Sequence, residues 1–151
     1  MTCRQTMPEQ WLIVNDRIDP SGWQALRKLA RGSGVLVLDR LKVSEHRRLR
    51  NLARAHGLTV VIETPRAASR VHNARELRDA LLRRAPMILL SPMWPTRSHP
   101  DWKPMPRMRA AALAQLGHRK LVALGGMNAR RYAKIAPLGF IGWAGISAFR
   151  T

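Results

Sequence analysis

The stretch KLVALGGMN, residues 120–128, decides the fold. A strand-length apolar run is followed by two glycines and then by Asn128, a residue type that caps helix N-termini. A short helical segment follows and extends to about Ile135. A strand, a glycine turn and a capped helix form one βα unit, and such units build parallel sheets.

The same unit recurs along the chain. The other apolar runs lie at residues 11–14, 35–38, 58–62, 87–90 and 140–146, and helical segments are predicted near 21–30, 44–56, 74–84 and 108–116. The runs are uniformly apolar, as in strands that are covered on both faces. A full eight-unit barrel has about 250 residues, whereas this chain has 151. We therefore predict one α/β domain over residues 1–151: a TIM-barrel-like (βα) repeat that forms a shortened or incomplete barrel with about six parallel strands.

The part of the barrel that the chain lacks falls in the region before Asn73. Only residues 63–70 separate Ile62 from Val71, and a parallel crossover needs about a dozen residues. We predict that Val71 is not in the next parallel strand and that the chain passes directly into the helix capped by Asn73. Because an incomplete barrel exposes sheet edges, it should either close with fewer strands or pair with a second copy as a homodimer.

Charge and composition restrict the class of partner. Lys and Arg total 27 against 9 Asp and Glu, a net charge of +18, which favours anionic partners. The arginines are spread along the chain without a basic tail or a nucleic-acid motif, so nucleic acid is not the expected partner. No apolar run reaches membrane-spanning length, and no membrane association is expected. The N-terminus lacks a signal-peptide core and Cys3 is the only cysteine, so we expect a cytoplasmic protein.

Three segments near the predicted carboxyl ends of strands carry the candidate chemistry, at residues 91–99, 123–128 and 142–147. Ligands of parallel α/β proteins bind at this end of the sheet. Glycines let the backbone approach an anion closely, and Ser147 adds a hydroxyl and a backbone N–H. These features predict a phosphate cradle, with a simple tight turn at the two glycines as the alternative.

The order of these segments resembles a known family. LSPxxPTxS (residues 90–98), ALGGM (123–127) and ISA (146–148) are similar to the motifs of thiamine phosphate synthases and their TenI relatives, which are TIM barrels. The resemblance covers about residues 71–149. It implies phosphorylated thiazole and pyrimidine ligands. The synthase joins hydroxymethylpyrimidine diphosphate to a thiazole phosphate with Mg²⁺ and releases diphosphate, and TenI is an aromatising thiazole tautomerase.

The resemblance also implies roles for single residues. The thiazole phosphate would be held by Gly125, Gly126, Ile146 and Ser147. Thr96 and Ser98 would face the substrates from the loop that follows the apolar run at residues 87–90. The remaining candidates are Arg40 and Lys42, which would grip the diphosphate, with a solvated basic loop as the alternative. Cations at that place would stabilise the charge that develops on a leaving diphosphate.

His72 occupies the place of the proposed acid/base of TenI enzymes. Imidazole suits proton transfer near neutral pH. The alternative is that His72 only supports the N-terminus of the helix that follows it.

Several family features are absent from the sequence. The family's Asn-Asp pair after the third strand, whose Asp binds Mg²⁺, is replaced by Glu63 and Thr64. Leu38 and His99 stand where the family has a glutamine and a lysine. Mg²⁺ prefers several oxygen ligands. Glu63 is the remaining candidate ligand, and a complete Mg²⁺ site is not expected.

These observations give a leading hypothesis and two alternatives. The leading one is a thiamine phosphate synthase-like transferase of thiamine biosynthesis. The second is a catalytically impaired paralogue that acts as a TenI-like tautomerase through His72 or as a thiamine-phosphate-binding regulator. The third is a basic nucleic-acid-binding protein, whose affinity would depend steeply on salt.

Overall fold

The strands and helices alternate along the chain, with one exception between the third and fourth strands. A computed structural model of the protein describes residues 6–38, 40–97 and 99–150. The strands are β1 (Gln10–Val14), β2 (Gly34–Val37), β3 (Thr59–Ile62), β4 (Ala68–Val71), β5 (Met87–Leu90), β6 (Leu121–Leu124) and β7 (Gly142–Gly145). The helices are α1 (Pro20–Lys28), α2 (Val43–His56), α3 (Ala74–Leu82), α4 (Arg107–Leu116) and α5 (Ala129–Ile135), with 3₁₀ turns at Ala136–Leu138 and Ser147–Phe149.

The seven strands form one curled, parallel sheet in the order β3-β2-β1-β7-β6-β5-β4. Each strand contributes a side chain to one interior cluster, which includes Trp11, Leu36, Val61, Ala68, Leu89, Val122 and Ala144. Side chains can meet in this way only if the sheet curls around them. The fold is therefore a TIM-barrel-like α/β half-barrel, as predicted, with seven strands instead of about six.

The helices cover the outer face of the sheet in two groups. α1 and α2 pack on β1 and β2 through buried residues such as Leu26 and Leu49. α3, α4 and α5 pack on β4 to β7 through residues such as Leu77, Leu113 and Ile135. Removing this apolar surface from water is the main driving force for attaching the helices, at about 25 cal/mol per Å².

Local signals set the helix ends, as the sequence predicts. The side-chain oxygen of Asn73 accepts a hydrogen bond from the Glu76 N–H at 2.9 Å, which caps α3. Asn128 caps α5 in the same way. Gly57 ends α2 in the left-handed conformation with φ 66°.

The prediction that no parallel strand follows residue 62 until residue 87 was wrong. β4 begins after residues 63–67 and pairs with β5 in parallel. No helical crossover is needed because β3 and β4 are not hydrogen-bonded neighbours; they are the two edges of the curled sheet. Thr64 and Ala68 form an isolated antiparallel bridge within the connection. The ends of the two strands also lie close together, because Arg70 of β4 bonds Glu63, the residue after β3. Strand stagger in a curled sheet lets so short a turn connect two parallel strands.

None of the helices in the described ranges is both long enough and apolar enough to cross a bilayer.

Candidate functional site

The candidate residues follow the carboxyl ends of six different strands, and these ends face one rim of the half-barrel because all strands are parallel. Arg40 and Lys42 follow β2, Glu63 follows β3, His72 follows β4, Thr96 follows β5, Gly125 and Gly126 follow β6, and Ile146 and Ser147 follow β7. Ser98, the remaining candidate, lies outside the described residues. The rim therefore carries every candidate residue that the structure describes.

The Gly125-Gly126 turn packs against the loop that follows β5. Both glycines have positive φ, 100° and 59°. The N–H groups of Met93 and Trp94 donate to the carbonyl oxygens of Leu124 and Gly125, each at 3.0 Å. The loop after β5 is thereby fixed to the turn after β6.

Side chains would not fit at this turn. A Cβ on Gly126 would lie 2.6 Å from the carbonyl oxygen of Pro95 and 3.0 Å from the Cβ of Trp94. A Cβ on Gly125 would lie 3.1 Å from the Met93 nitrogen. Packing within the chain is therefore enough to require glycine here, whether or not a ligand binds.

Arg131 adds a cation to the turn, and the sequence motifs did not single it out. Its guanidinium donates a hydrogen bond to the Gly126 carbonyl and lies 5.6 Å from the centre of the Trp94 ring. Its backbone N–H is held by the Asn128 cap at 2.8 Å. The one sequence feature that could have indicated Arg131 is its position three residues after the capping Asn128, which places it in the first turn of α5.

Ser147 lies beside this turn because β6 and β7 are paired neighbours. It is exposed and begins the 3₁₀ turn that follows β7. Phe149 of that turn stacks on Trp143 with ring centroids 5.0 Å apart, which anchors the turn to the core. Across the described chain, neither the Gly126 nor the Ser147 backbone N–H donates a hydrogen bond.

His72 is held by Glu76, one turn into α3. One carboxylate oxygen of Glu76 accepts the His72 backbone N–H at 2.7 Å and lies 3.0 Å from Nδ1 of the ring. Partial burial raises the pKa of Glu76, but the hydrogen bonds from His72 together outweigh it and the pKa is lowered. An ionised Glu76 favours a proton on Nδ1, and no described residue bonds to Nε2. His72 therefore supports the start of α3 through Glu76, and its acid/base role stays a prediction.

Trp102, in the loop after β5, contacts His72 and is itself stacked on His99. The Trp102 ring meets the His72 ring edge-on with centroids 5.9 Å apart, and His99 stacks on Trp102 at 4.0 Å. Thr96 supports this loop, because its Oγ1 accepts the His99 N–H at 3.1 Å. Trp102 was not predicted from the sequence, since a lone exposed tryptophan carries no motif.

Arg40 and Lys42 are exposed in the segment between β2 and α2. Both residues follow the carboxyl end of β2, and their role in holding a diphosphate stays a prediction.

The Glu63 carboxylate forms an ion pair with Arg70. The Arg70 guanidinium donates to both carboxylate oxygens of Glu63, Nε at 3.2 Å and Nη2 at 2.7 Å. Across residues 6–38, 40–97 and 99–150, no three His, Cys, Asp or Glu side chains converge to hold a metal ion. A guanidinium on the one candidate carboxylate repels a divalent cation, so the described donors do not fit Mg²⁺.

A single curled parallel sheet with helices on its outer face defines a TIM-barrel-like α/β protein. Residues 67–149 match the family model described as thiamine monophosphate synthase, and the chain belongs to that family.

Solved structures agree in fold. Thiamine phosphate pyrophosphorylase from Pyrococcus furiosus superposes with a TM-score of 0.74 at 16% identity, over 95% of this chain and 88% of that one. The thiamine phosphate pyrophosphorylase from Bacteroides thetaiotaomicron gives 0.60 at 14% identity, over 94% and 84%. No curated protein sequence matches significantly.

Proposed function

We propose that this chain acts in thiamine biosynthesis by binding a thiazole phosphate or thiamine phosphate at the rim of the half-barrel, and that His72 moves a proton on the bound ring. The phosphate would lie at Gly125, Gly126, Ile146 and Ser147. This is a tautomerase-type activity within the thiamine monophosphate synthase family. The ring would lie between the phosphate cradle and the loop that carries Trp102.

The observation that carries the proposal is the pair of unused backbone donors at Gly126 and Ser147, on neighbouring strands β6 and β7. Backbone N–H groups at adjacent turns are the usual means by which barrels hold phosphate. The Arg131 guanidinium beside the turn adds positive potential. An anion would therefore gain hydrogen bonds without a large rearrangement.

The proton transfer is assigned to Nε2 of His72. Glu76 holds the ring through Nδ1, which leaves Nε2 as the nitrogen able to accept a proton from one ring position and return it to another. The step is balanced, since one C–H bond breaks and one forms elsewhere on the same molecule. It needs no oxidant and no metal.

The synthase reaction is the second candidate, favoured by the family match over residues 67–149 and by Arg40 and Lys42 at the rim. In that reaction the two cations would take the charge of the departing diphosphate. The Arg70–Glu63 pair, where the resemblance implied a metal ligand, disfavours the Mg²⁺-assisted form. A regulator that binds thiamine phosphate without turnover is the remaining alternative.

The test is calorimetric titration with thiazole phosphate, thiamine phosphate and the unphosphorylated thiazole alcohol, each with and without Mg²⁺. We expect micromolar binding of a phosphorylated ligand, no binding of the alcohol and no effect of Mg²⁺. Ser147→Asp should abolish binding, because it puts a negative charge at the cradle. Ser44→Asp, on the exposed first turn of α2, is the matched control and should bind normally.

Turnover distinguishes the candidate functions. Tautomerisation that His72→Gln abolishes without loss of binding supports the proposed reaction. Enhancement of binding by Mg²⁺, together with diphosphate release, would favour the synthase. Absence of binding to either phosphate ester would refute the proposed site.

A further inference from the structure

The outer helix layer is incomplete beside β3. In the described residues a helix connects every consecutive pair of strands except β3 and β4, which are joined by residues 63–67. The outer faces of the other strands are buried beneath helices; Val35 and Val37 of β2, for example, are 0% and 1% exposed. β3 therefore differs from the rest of the sheet.

The uncovered face of β3 is apolar. Leu58, Val60 and Ile62 share it, because alternate residues of a strand point to the same side. Leu58 and Val60 pack only partly against the neighbouring cluster, and Ile62 is 37% exposed. An apolar strand face of this kind is the surface that a helix normally covers in this fold.

Arginines of α2 border this face. A concave region of about 320 Å³ is lined by Arg50, Ala53, Arg54, Leu58 and Val60, which come from α2 and β3. Among the described residues, no carboxylate lines this region, so the two guanidinium groups give it a positive charge. We call the surface formed by Arg50, Arg54, Leu58 and Val60, with Ile62 at the end of the strand, the β3 groove.

We propose that the β3 groove docks an amphipathic helix of a partner protein, with an apolar stripe on Leu58, Val60 and Ile62 and acidic residues beside α2. A helix is about 10 Å wide and can present apolar residues at i, i+3, i+4 and i+7 to such a groove. The acidic residues would meet Arg50 and Arg54. Electrostatic complementarity of this kind favours an acidic partner over a basic one.

A second copy of the chain does not have the required helix. Only Glu45, Glu76 and Asp79 are acidic among the residues of the described helices. Glu76 is engaged with His72, and Glu45 belongs to the strongly basic α2. Two copies carrying a net charge of +18 each would also repel one another.

The experiment uses the full chain with methyl-labelled Leu, Val and Ile and a designed peptide of about 18 residues, long enough for appreciable helix content. The peptide has leucine at the i, i+3, i+4 and i+7 positions and glutamate on both flanks. The comparison peptide has the same leucines with lysine in place of glutamate. We expect the acidic peptide to shift the methyl signals of Leu58, Val60 and Ile62, and the basic peptide to leave them unchanged.

Two double variants give the charge test. R50E/R54E should weaken binding of the acidic peptide roughly tenfold, since two flanking charge pairs become repulsive. R78E/R109E changes the net charge equally on exposed positions of α3 and α4 and should bind normally. All four positions are exposed, so each variant should retain the wild-type unfolding midpoint. Val60→Asp should abolish binding through the apolar stripe.

Three outcomes would overturn the proposal. The first is that neither peptide shifts the β3 signals. The second is an equal loss of affinity in the two double variants, which would indicate non-specific attraction to a basic surface. The third is sedimentation of the free protein as a dimer that Val60→Asp converts to a monomer, which would make a second copy the occupant of the groove.

Discussion

Replacement of Gly126 by alanine should destabilise the protein by about 3 kcal/mol. Gly126 has φ 59°, and an L-residue in this left-handed conformation costs about 1 kcal/mol. The new Cβ would lie 2.6 Å from the Pro95 carbonyl oxygen and 3.0 Å from the Trp94 Cβ. Backbone atoms must move to relieve the first contact, and overpacking of this kind costs roughly 1–3 kcal/mol.

Gly32→Ala separates the two costs. Gly32 also has positive φ, 87°, but nothing lies within 4 Å of a Cβ built there. This variant should lose only the conformational part, about 1 kcal/mol. The assay is urea unfolding followed by tryptophan fluorescence. The midpoints of both variants are compared with that of the wild type, provided that the dependence of the unfolding free energy on urea is the same in all three. Equal midpoints for the two variants would refute the close packing of residues 92–95 against the Gly126 turn.

Three further predictions concern polar contacts. Arg70→Ala and Glu63→Gln should each lower the free energy of unfolding by about 1 kcal/mol, and the double variant should lose less than the sum of the two. A double-mutant cycle measured by urea unfolding tests this. Strict additivity would mean that the ion pair contributes nothing to stability. Glu76→Gln should destabilise by about 0.5 kcal/mol at neutral pH. Because the pKa of Glu76 is lowered in the folded state, the stability difference between wild type and Glu76→Gln should shrink as pH falls below the ordinary value of 4.5. A stability difference that grew in acid would contradict the hydrogen bonds between Glu76 and His72. Asn128→Ala should cost about 1 kcal/mol by leaving a first-turn N–H of α5 without its cap, and an unchanged melting curve would argue against the cap.

Most of the secondary structure could be predicted because its signals are local. Six apolar runs located six of the seven strands to within a few residues, and Asn73, Asn128 and Gly57 marked helix ends where the structure has them. A capping side chain bonds a backbone group three residues away, so sequence neighbours contain all the information. The uniformly apolar character of the runs likewise follows from cover on both faces, except in β3, which is partly exposed.

β4 could not be predicted because its stability comes from distant parts of the chain. Its sequence, ASRV, has no apolar run. The buried Ser69 is acceptable in a strand because the Arg83 guanidinium bonds its hydroxyl. The short connection from β3 is acceptable because the curl of the whole sheet brings the two edges together. Neither fact is visible in a local window.

The candidate site likewise has parts that local sequence predicts and parts that it does not. The glycine turn and the segment containing Ser147 followed from the order of motifs along the chain. The pairing of Arg70 with Glu63 and the contact of Arg131 with Trp94 did not. The chain has many arginines, and which one meets a given carboxylate or ring depends on the tertiary arrangement rather than on spacing.

The pairing of β1 with β7 gives the half-barrel a natural folding order. Residues 10–62 form one group of strands and helices and residues 68–145 another, and β1 and β7 are the paired strands through which the two groups join in the sheet. Contacts within each group are nearer in sequence and carry a smaller loop-closure cost, so each group can gain structure before the two dock. The amide hydrogens of β1 and β7 then exchange only when the whole molecule opens, whereas β3, at the thinly covered edge, exchanges through smaller local openings.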